Sequence, residues 1–364
     1  GSMETVDGDG TGTKPSPWLF PGSLILCDLS AGMLILQNGG LASATDVQLG
    51  ARASGEGQLW LHGSVADRGV LETGQVSVGA GGGTISFDGG ILRLTRDEAD
   101  LFAGFDDGDI RIGYSNAYLD TQEHSVATSV GLEGVGGLLK RGSGTLTLTG
   151  HNRYQSGTTV YEGVLAVDGG SITHTAGHVV VAASGGDDAS LIISNGGVVS
   201  GYNSQIGWGS GTTGKALVTG AGSSWLSAGT LEIGRFGKGG LTIENGGLVE
   251  SRDARIGYAQ SAVGEVLVSG AGSNWRLDDG LEVGRTGKGA LTIEDGGVVQ
   301  SGSVFLGTNA TGRGTALVSG SGTHWEVDGN LVVGRAGEGM LEISESALVS
   351  ADRGELGMFS NASG

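Results

Sequence analysis

The segment LTIENGGLVES at 241–251 returns as LTIEDGGVVQS at 291–301, and a related LIISNGGVVSG stands at 191–201. The interval of 50 residues holds at independent places: ALVTGAGSSW (216–225), VLVSGAGSNW (266–275) and ALVSGSGTHW (316–325) keep it, so Trp225, Trp275 and Trp325 are 50 apart. Self-similarity at a fixed period is the mark of stacked units, each with an apolar face that only a neighbour can cover. A finer rhythm lies inside. Aliphatic-Gly pairs end at Gly207, Gly234, Gly257, Gly284, Gly307, Gly334 and Gly357, and their separations alternate 27 and 23. Each repeat is therefore two units of about 25 residues.

Within a unit the apolar residues alternate, as in Leu231 and Ile233 or Leu241 and Ile243. That period of two belongs to strands with one buried face. Gly-Gly, Asn-Gly and Asp-Gly steps break the strands three times per unit, where the chain turns sharply. The pattern predicts an all-β fold, a right-handed parallel β-helix (solenoid) with three short strands per coil of about 23–27 residues. Some 13 or 14 such layers at about 4.8 Å make a rod on the order of 60 Å long. The opening GSM reads as a vector-derived scar and the rest of 1–17 as a polar lead-in. Residues 18–364 read as one continuous β-helix, with irregular coils over 18–141, a different repeat type over 142–190, and regular double-coil repeats over 191–364. The rhythm is unfinished at SNASG, which predicts a native chain that continues.

Charge excludes several partners. Twenty basic against 39 acidic side chains leave a net charge of −19, which repels phosphate backbones, so nucleic acid is not expected as a partner. No run approaches the roughly 20 apolar residues that span a bilayer as a helix. Cys27 is the only cysteine, expected as a small buried residue, and it excludes an internal disulfide framework. β-Helices can also carry polysaccharide-active sites built from several acids on one face. The candidates are Asp106, Asp107 and Asp109, Asp187 with Asp188, and Asp278 with Asp279. None recurs beside a His or Arg at a matched position, so they read as solvated corners. The six histidines are scattered without metal-ligand spacing, and no cofactor or metal is expected.

Two columns stand out. Trp225, Trp275 and Trp325 fall on alternate coils, and the apolar residues two positions on, Leu277 and Val327, point them inward, although Ser227 breaks that pattern after Trp225. The residue after each aliphatic-Gly pair is Trp208, Arg235, Tyr258, Arg285, Thr308, Arg335 and Met358 in turn. Equivalent positions stack, which predicts an outward ladder of aromatic and guanidinium groups, each contact worth about 0.5–1 kcal/mol when exposed. The binding residues to test are Trp208, Arg235, Tyr258, Arg285 and Arg335, as a surface for glycans; the alternative is that the ladder only stabilises the corners, helped by Glu232 and Glu282 nearby.

The segment GSGTLTLTGHNRYQSGTTVYEGVLAV, residues 142–167, closely resembles the autotransporter-associated β-strand repeat. The GAGSxW and LTIxNGG units over 191–357 are similar to repeats of AIDA-type autotransporter passengers, while 51–141 matches only in style. The resemblance implies a bacterial type V secretion product: a β-helical passenger domain at the cell surface or released from it, followed by a C-terminal outer-membrane β-barrel. No barrel is contained in this chain. The expected function is a non-enzymatic adhesin or self-association module, acting in aggregation or biofilm. Its partner is expected to be a host-cell surface glycan or matrix protein, or the same protein on a neighbouring cell. A polysaccharide-active enzyme and an inert stalk are the alternatives. The 96–141 region is the expected place for a local groove.

Overall fold

The computed structural model describes residues 3–7, 17–174, 176–184 and 186–359. Residues 1–2 and 8–16, within the stretch expected to be scar and lead-in, lie outside the described residues. Met3–Asp7 is a strand, paired in parallel with Met33–Gln37. No described residue is helical, and the strands pair in parallel, coil upon coil. The fold is an all-β parallel β-helix. The chain divides into two compact units, Gly1–Ala166 with Gly170–Gly177, and Val167–Gly169 with His178–Gly364.

The second unit explains the alternating 27 and 23. On its first face Asp188 lies beside Thr213, Thr213 beside Lys238, and Lys238 beside Val263, a constant step of 25. On the second face the step alternates: Ser224 pairs with Leu248, and Leu248 with Asn274. On the third face Leu231 pairs with Ala254, and Ala254 with Leu281, which reproduces 23 and 27. Extra residues at one corner are thus taken back at another, and every coil closes at the same length.

Packing explains why the period is 50 rather than 25. One inward column on the second face reads Val199, Trp225, Val249, Trp275, Val299, Trp325, all fully buried. On the first face the inward pair is Ala216 and Val218, or Val266 and Val268, in the tryptophan coils, but Leu241 and Ile243, or Leu291 and Ile293, in the valine coils. A coil with a large residue on one face carries small ones on the other. Interiors are close-packed, so this exchange keeps the cross-section filled while side chains of different size interdigitate between layers. Ser227, which breaks the apolar pattern, is nevertheless buried, and its Oγ donates to the Tyr202 carbonyl at 3.1 Å.

Corners are tied from coil to coil. Asn195, Asn245 and Asp295 all turn with φ of 53–54°, the left-handed conformation that Asn and Asp tolerate best after glycine. The amide of the glycine after each donates to the hydroxyl of Ser223, Ser273 or Thr323 in the next coil, at 3.1, 3.1 and 2.9 Å.

The first unit is less regular than expected. Its coil steps run from 30, where Met3 pairs with Met33, down to 20, where Lys140 pairs with Val160, wider than the predicted 23–27. Cys27 also departs from expectation: it is only half-buried, at a corner with φ of 70°. At the short coils lies a buried lysine. The Lys140 ammonium sits in the core and donates to Thr121 Oγ1 at 2.9 Å and to the carbonyls of Gly142, Gly144 and Glu162 at 2.5, 2.7 and 3.0 Å. Its partners come from three successive coils, so the side chain clips them together.

Burial pushes the Lys140 ammonium down from 10.5 to about 8, against the pull of Asp120 and Glu162. Between those values the unfolded chain binds the extra proton, so stability rises with pH across this window and is lost as pH falls to about 8. The gain is on the order of 3 kcal/mol. In Lys140→Met this slope is expected to vanish, with lower stability at pH 7 because Thr121 Oγ1 and the Gly144 carbonyl, both buried, lose their donor. Melting curves from pH 7 to 10.5 on both proteins check it; parallel curves would contradict it.

Candidate functional site

Each ladder residue follows a glycine whose φ lies between 64 and 73°: Gly207, Gly234, Gly257, Gly284, Gly307, Gly334 and Gly357. A Cβ on Gly257 would lie 2.1 Å from the Lys288 carbonyl oxygen, and one on Gly284 2.0 Å from that of Arg313. Only glycine lets the next coil come so close, and that contact fixes where the following side chain emerges.

Arg235, Tyr258 and Arg285 are brought together. The Arg285 guanidinium carbon stands 4.5 Å from the Tyr258 ring centre and that of Arg235 5.8 Å. The other two candidates lie apart from this group. Trp208 is exposed, and no cation–π contact joins it to Arg235 among the described residues. Arg335 stacks instead on Phe305, at 4.6 Å, because Thr308 in the intervening coil is buried and offers no ring.

A neighbouring column completes the group; Glu232 and Glu282 were expected beside the ladder, but Arg255 and Gln205 were not. On the third face Gln205, Glu232, Arg255 and Glu282 lie side by side, pointing outward between inward aliphatics. Glu232 accepts from Arg235 Nη1 at 2.8 Å and Arg255 Nη1 at 3.4 Å. Glu282 Oε2 lies 3.3 Å from Arg285 Nε and 3.6 Å from Arg255 Nε. Arg255 also stands 5.8 Å from the Tyr258 ring, and Phe236 meets that ring edge-on at 6.3 Å. The same spacing that exposed the ladder would have exposed this column one register over.

Charge in this patch is nearly balanced, since Arg235, Arg255 and Arg285 face Glu232, Glu282 and, at 3.9 Å from Arg255, Asp253. Glu232 is buried while the arginines are about one-third exposed, so its carboxylate requires the two guanidinium partners it has, and these are not free surface ion pairs. Their effect is to hold guanidinium planes and rings in fixed positions. Such a surface can stack on the apolar face of a sugar ring and offer N–H donors at its edge. It has no nucleophile held by a base.

A second stack occurs in the first unit, where the sequence is too irregular to reveal it. The Arg68 guanidinium lies 3.6 Å over the Tyr118 ring and donates to its hydroxyl at 2.8 Å and to the Gly89 carbonyl. Arg141 stands 5.8 Å from Tyr118 and 4.9 Å from Tyr161.

The remaining sequence candidates are structural in their contacts. Trp225, Trp275 and Trp325 are fully buried in the core; Trp325 Nε1 donates to Ser301 Oγ at 3.3 Å. Three of the acidic candidates accept backbone amides: Asp109 that of Asp106 at 3.0 Å and Asp187 that of Ser184 at 2.8 Å within turns, and Asp107 that of Gly131 in the next coil at 2.8 Å. Among the described residues no group of three or more His, Cys, Asp or Glu is placed to hold a metal ion.

A family model described as the passenger-associated-transport-repeat matches residues 138–167. This interval contains Lys140 and the whole of the segment 142–167 whose repeat pattern the sequence displays. No curated protein and no solved structure matches the chain.

Proposed function

The chain fits an autotransporter passenger domain with repeats, and on that premise we propose that it serves as a non-enzymatic adhesin or self-association module on the bacterial surface. The repeat implies a secreted or surface-exposed passenger; anchoring through an outer-membrane barrel belongs to the proposal. The observation that carries it is the Arg235, Tyr258, Arg285 group with its glutamates, an outward array built by coil stacking. Single contacts of this type are weak, about 0.5–1 kcal/mol, so adhesion draws its strength from many copies engaging together. The partner is a host glycan or matrix protein, or the same protein on another cell.

The test displays the full-length protein on a non-adherent bacterium, scoring clumping separately from binding to host cells and a glycan array. Replacing Arg235 and Arg285 together by Ala is expected to lower glycan or host-cell binding several-fold, the loss of two stacked cations, with the melting temperature within a few degrees of wild type. A lower melting temperature with unchanged binding would show that the ladder only braces the corners.

A further inference from the structure

The outer side of the first face in the second unit carries a shallow groove of about 640 Å³. Gly240 lies in its middle, Lys215 and Glu265 one coil to either side, and Leu217 and Leu267 next to them. Lys215 and Glu265 are exposed, as are Asp188 and Lys288, two coils out from the centre. None of these four forms an ion pair with a described residue of its own chain. The strands here are in unbroken register from Asp188 to Glu294.

Such a surface is complementary to itself. A half-turn about the line of the central strand, Lys238–Glu244, leaves each strand position opposite its own kind and inverts the order of coils. Lys215 then faces Glu265 of a second copy, Glu265 faces Lys215, and Asp188 and Lys288 exchange in the same way. Leu217 meets Leu267, and on the axis Gly240 meets Gly240 and Thr242 meets Thr242. Four opposite-charge pairs form. Against them stand two like-charge meetings on the axis, Lys238 with Lys238 and Glu244 with Glu244. These lie at the two ends of the strand, and Glu244 is engaged by Thr219 and Asn245 of its own chain.

We propose that this face docks a second copy of the chain in antiparallel orientation. The proposal rests on the self-association half of the function given above and names its surface. Five coils of about 4.8 Å and six residue steps of about 3.3 Å give a patch on the order of 400 Å² per partner. This is about half the roughly 800 Å² of a stable interface, so one contact is transient and many on apposed surfaces hold.

Lys215→Glu and Glu265→Lys test it, each shown by circular dichroism and melting to keep the fold. Beads coated with wild-type chain are expected to clump, less at high salt. Each single variant alone should raise the coating density needed for clumping about tenfold, since like charges now meet. Mixed beads of the two variants should clump again, as should beads bearing the double exchange. Variants that clump as wild type, or a mixture no better than its components, would overturn this face while leaving self-association standing. Unchanged clumping with altered host-cell binding would assign the face to another partner and equally overturn it. Wild-type beads that never clump would remove the self-association reading itself.

Discussion

Gly257→Ala is expected to destabilise the second unit by on the order of 4 kcal/mol or more, among the largest effects a single methyl group produces. Two penalties coincide. The residue sits at φ of 68°, where a side chain is strained by about 1–2 kcal/mol. The added Cβ would also lie 2.1 Å from the Lys288 carbonyl oxygen and 2.5 Å from its carbon. Both are backbone atoms of the next coil, so no rotamer change relieves the clash. Because a solenoid is held by contacts between neighbouring coils, failure of one boundary should also divide the melting transition of this unit into two steps. The control uses the same substitution. Gly240 lies inside the strand Lys238–Glu244 with open space where a Cβ would go, so Gly240→Ala should be neutral or stabilising by up to about 1 kcal/mol. Calorimetry on the two proteins decides; equal effects would mean that the corner does not approach its neighbour as described.

The second large effect is at Trp275. Its side chain is fully buried in register between Val249 and Val299. Both neighbours are already smaller, and the coils above and below are fixed by unbroken ladders, so the space left by truncation cannot close. Trp275→Ala should therefore cost about 3–5 kcal/mol. Trp275→Phe separates volume from polarity. The Trp275 Nε1–H is buried without a hydrogen-bond partner among the described residues, so losing it removes a desolvated donor along with part of the ring. The phenylalanine variant should fall short of wild type by less than about 1.5 kcal/mol. Denaturant melts of both variants measure the difference, and near-equal losses would contradict the packing account.

Much of the fold was legible because stacking writes itself into the chain as a period. The aliphatic-Gly spacing revealed the corners, the alternation of Leu241 and Ile243 the strands, and the 50-residue interval the pairing of coil types. The reason for that interval was not legible. It depends on Ala216 and Val218 making room where Trp225 intrudes, a balance of volumes across the core that no local pattern contains. Ser227 misled for a related cause, since its hydroxyl is satisfied by a carbonyl of the preceding coil. Lys140, in the run LLKRG, looks like a surface residue. The oxygens that hold it are mostly main-chain carbonyls, and main-chain acceptors leave no mark in a sequence.

The ladder shows the same division. Register placed Arg235, Tyr258 and Arg285 in one file, and the contacts among them follow. Register alone did not show that Trp208 stands apart, or that Arg255 from the adjoining file would reach both Glu232 and Glu282. Side chains as long as arginine reach across files, and their choice of partner is made by charge rather than by position.

The central claim is that coils of the second unit stack one strand spacing apart whatever the residue count between them. On the outer side of the second face Ser200, Leu226, Glu250, Arg276, Gln300, Glu326 and Ser350 fall in one file, with unequal steps along the chain. Nitroxide labels at Ser200 and Glu326, in a chain with Cys27 replaced by Ser, should lie about 24 Å apart by pulsed electron resonance, and labels at Ser200 and Ser350 about 29 Å. Narrow distributions separated by about 4.8 Å are the expected result. Broad distributions, or two mean distances that do not differ by one strand spacing, would contradict it.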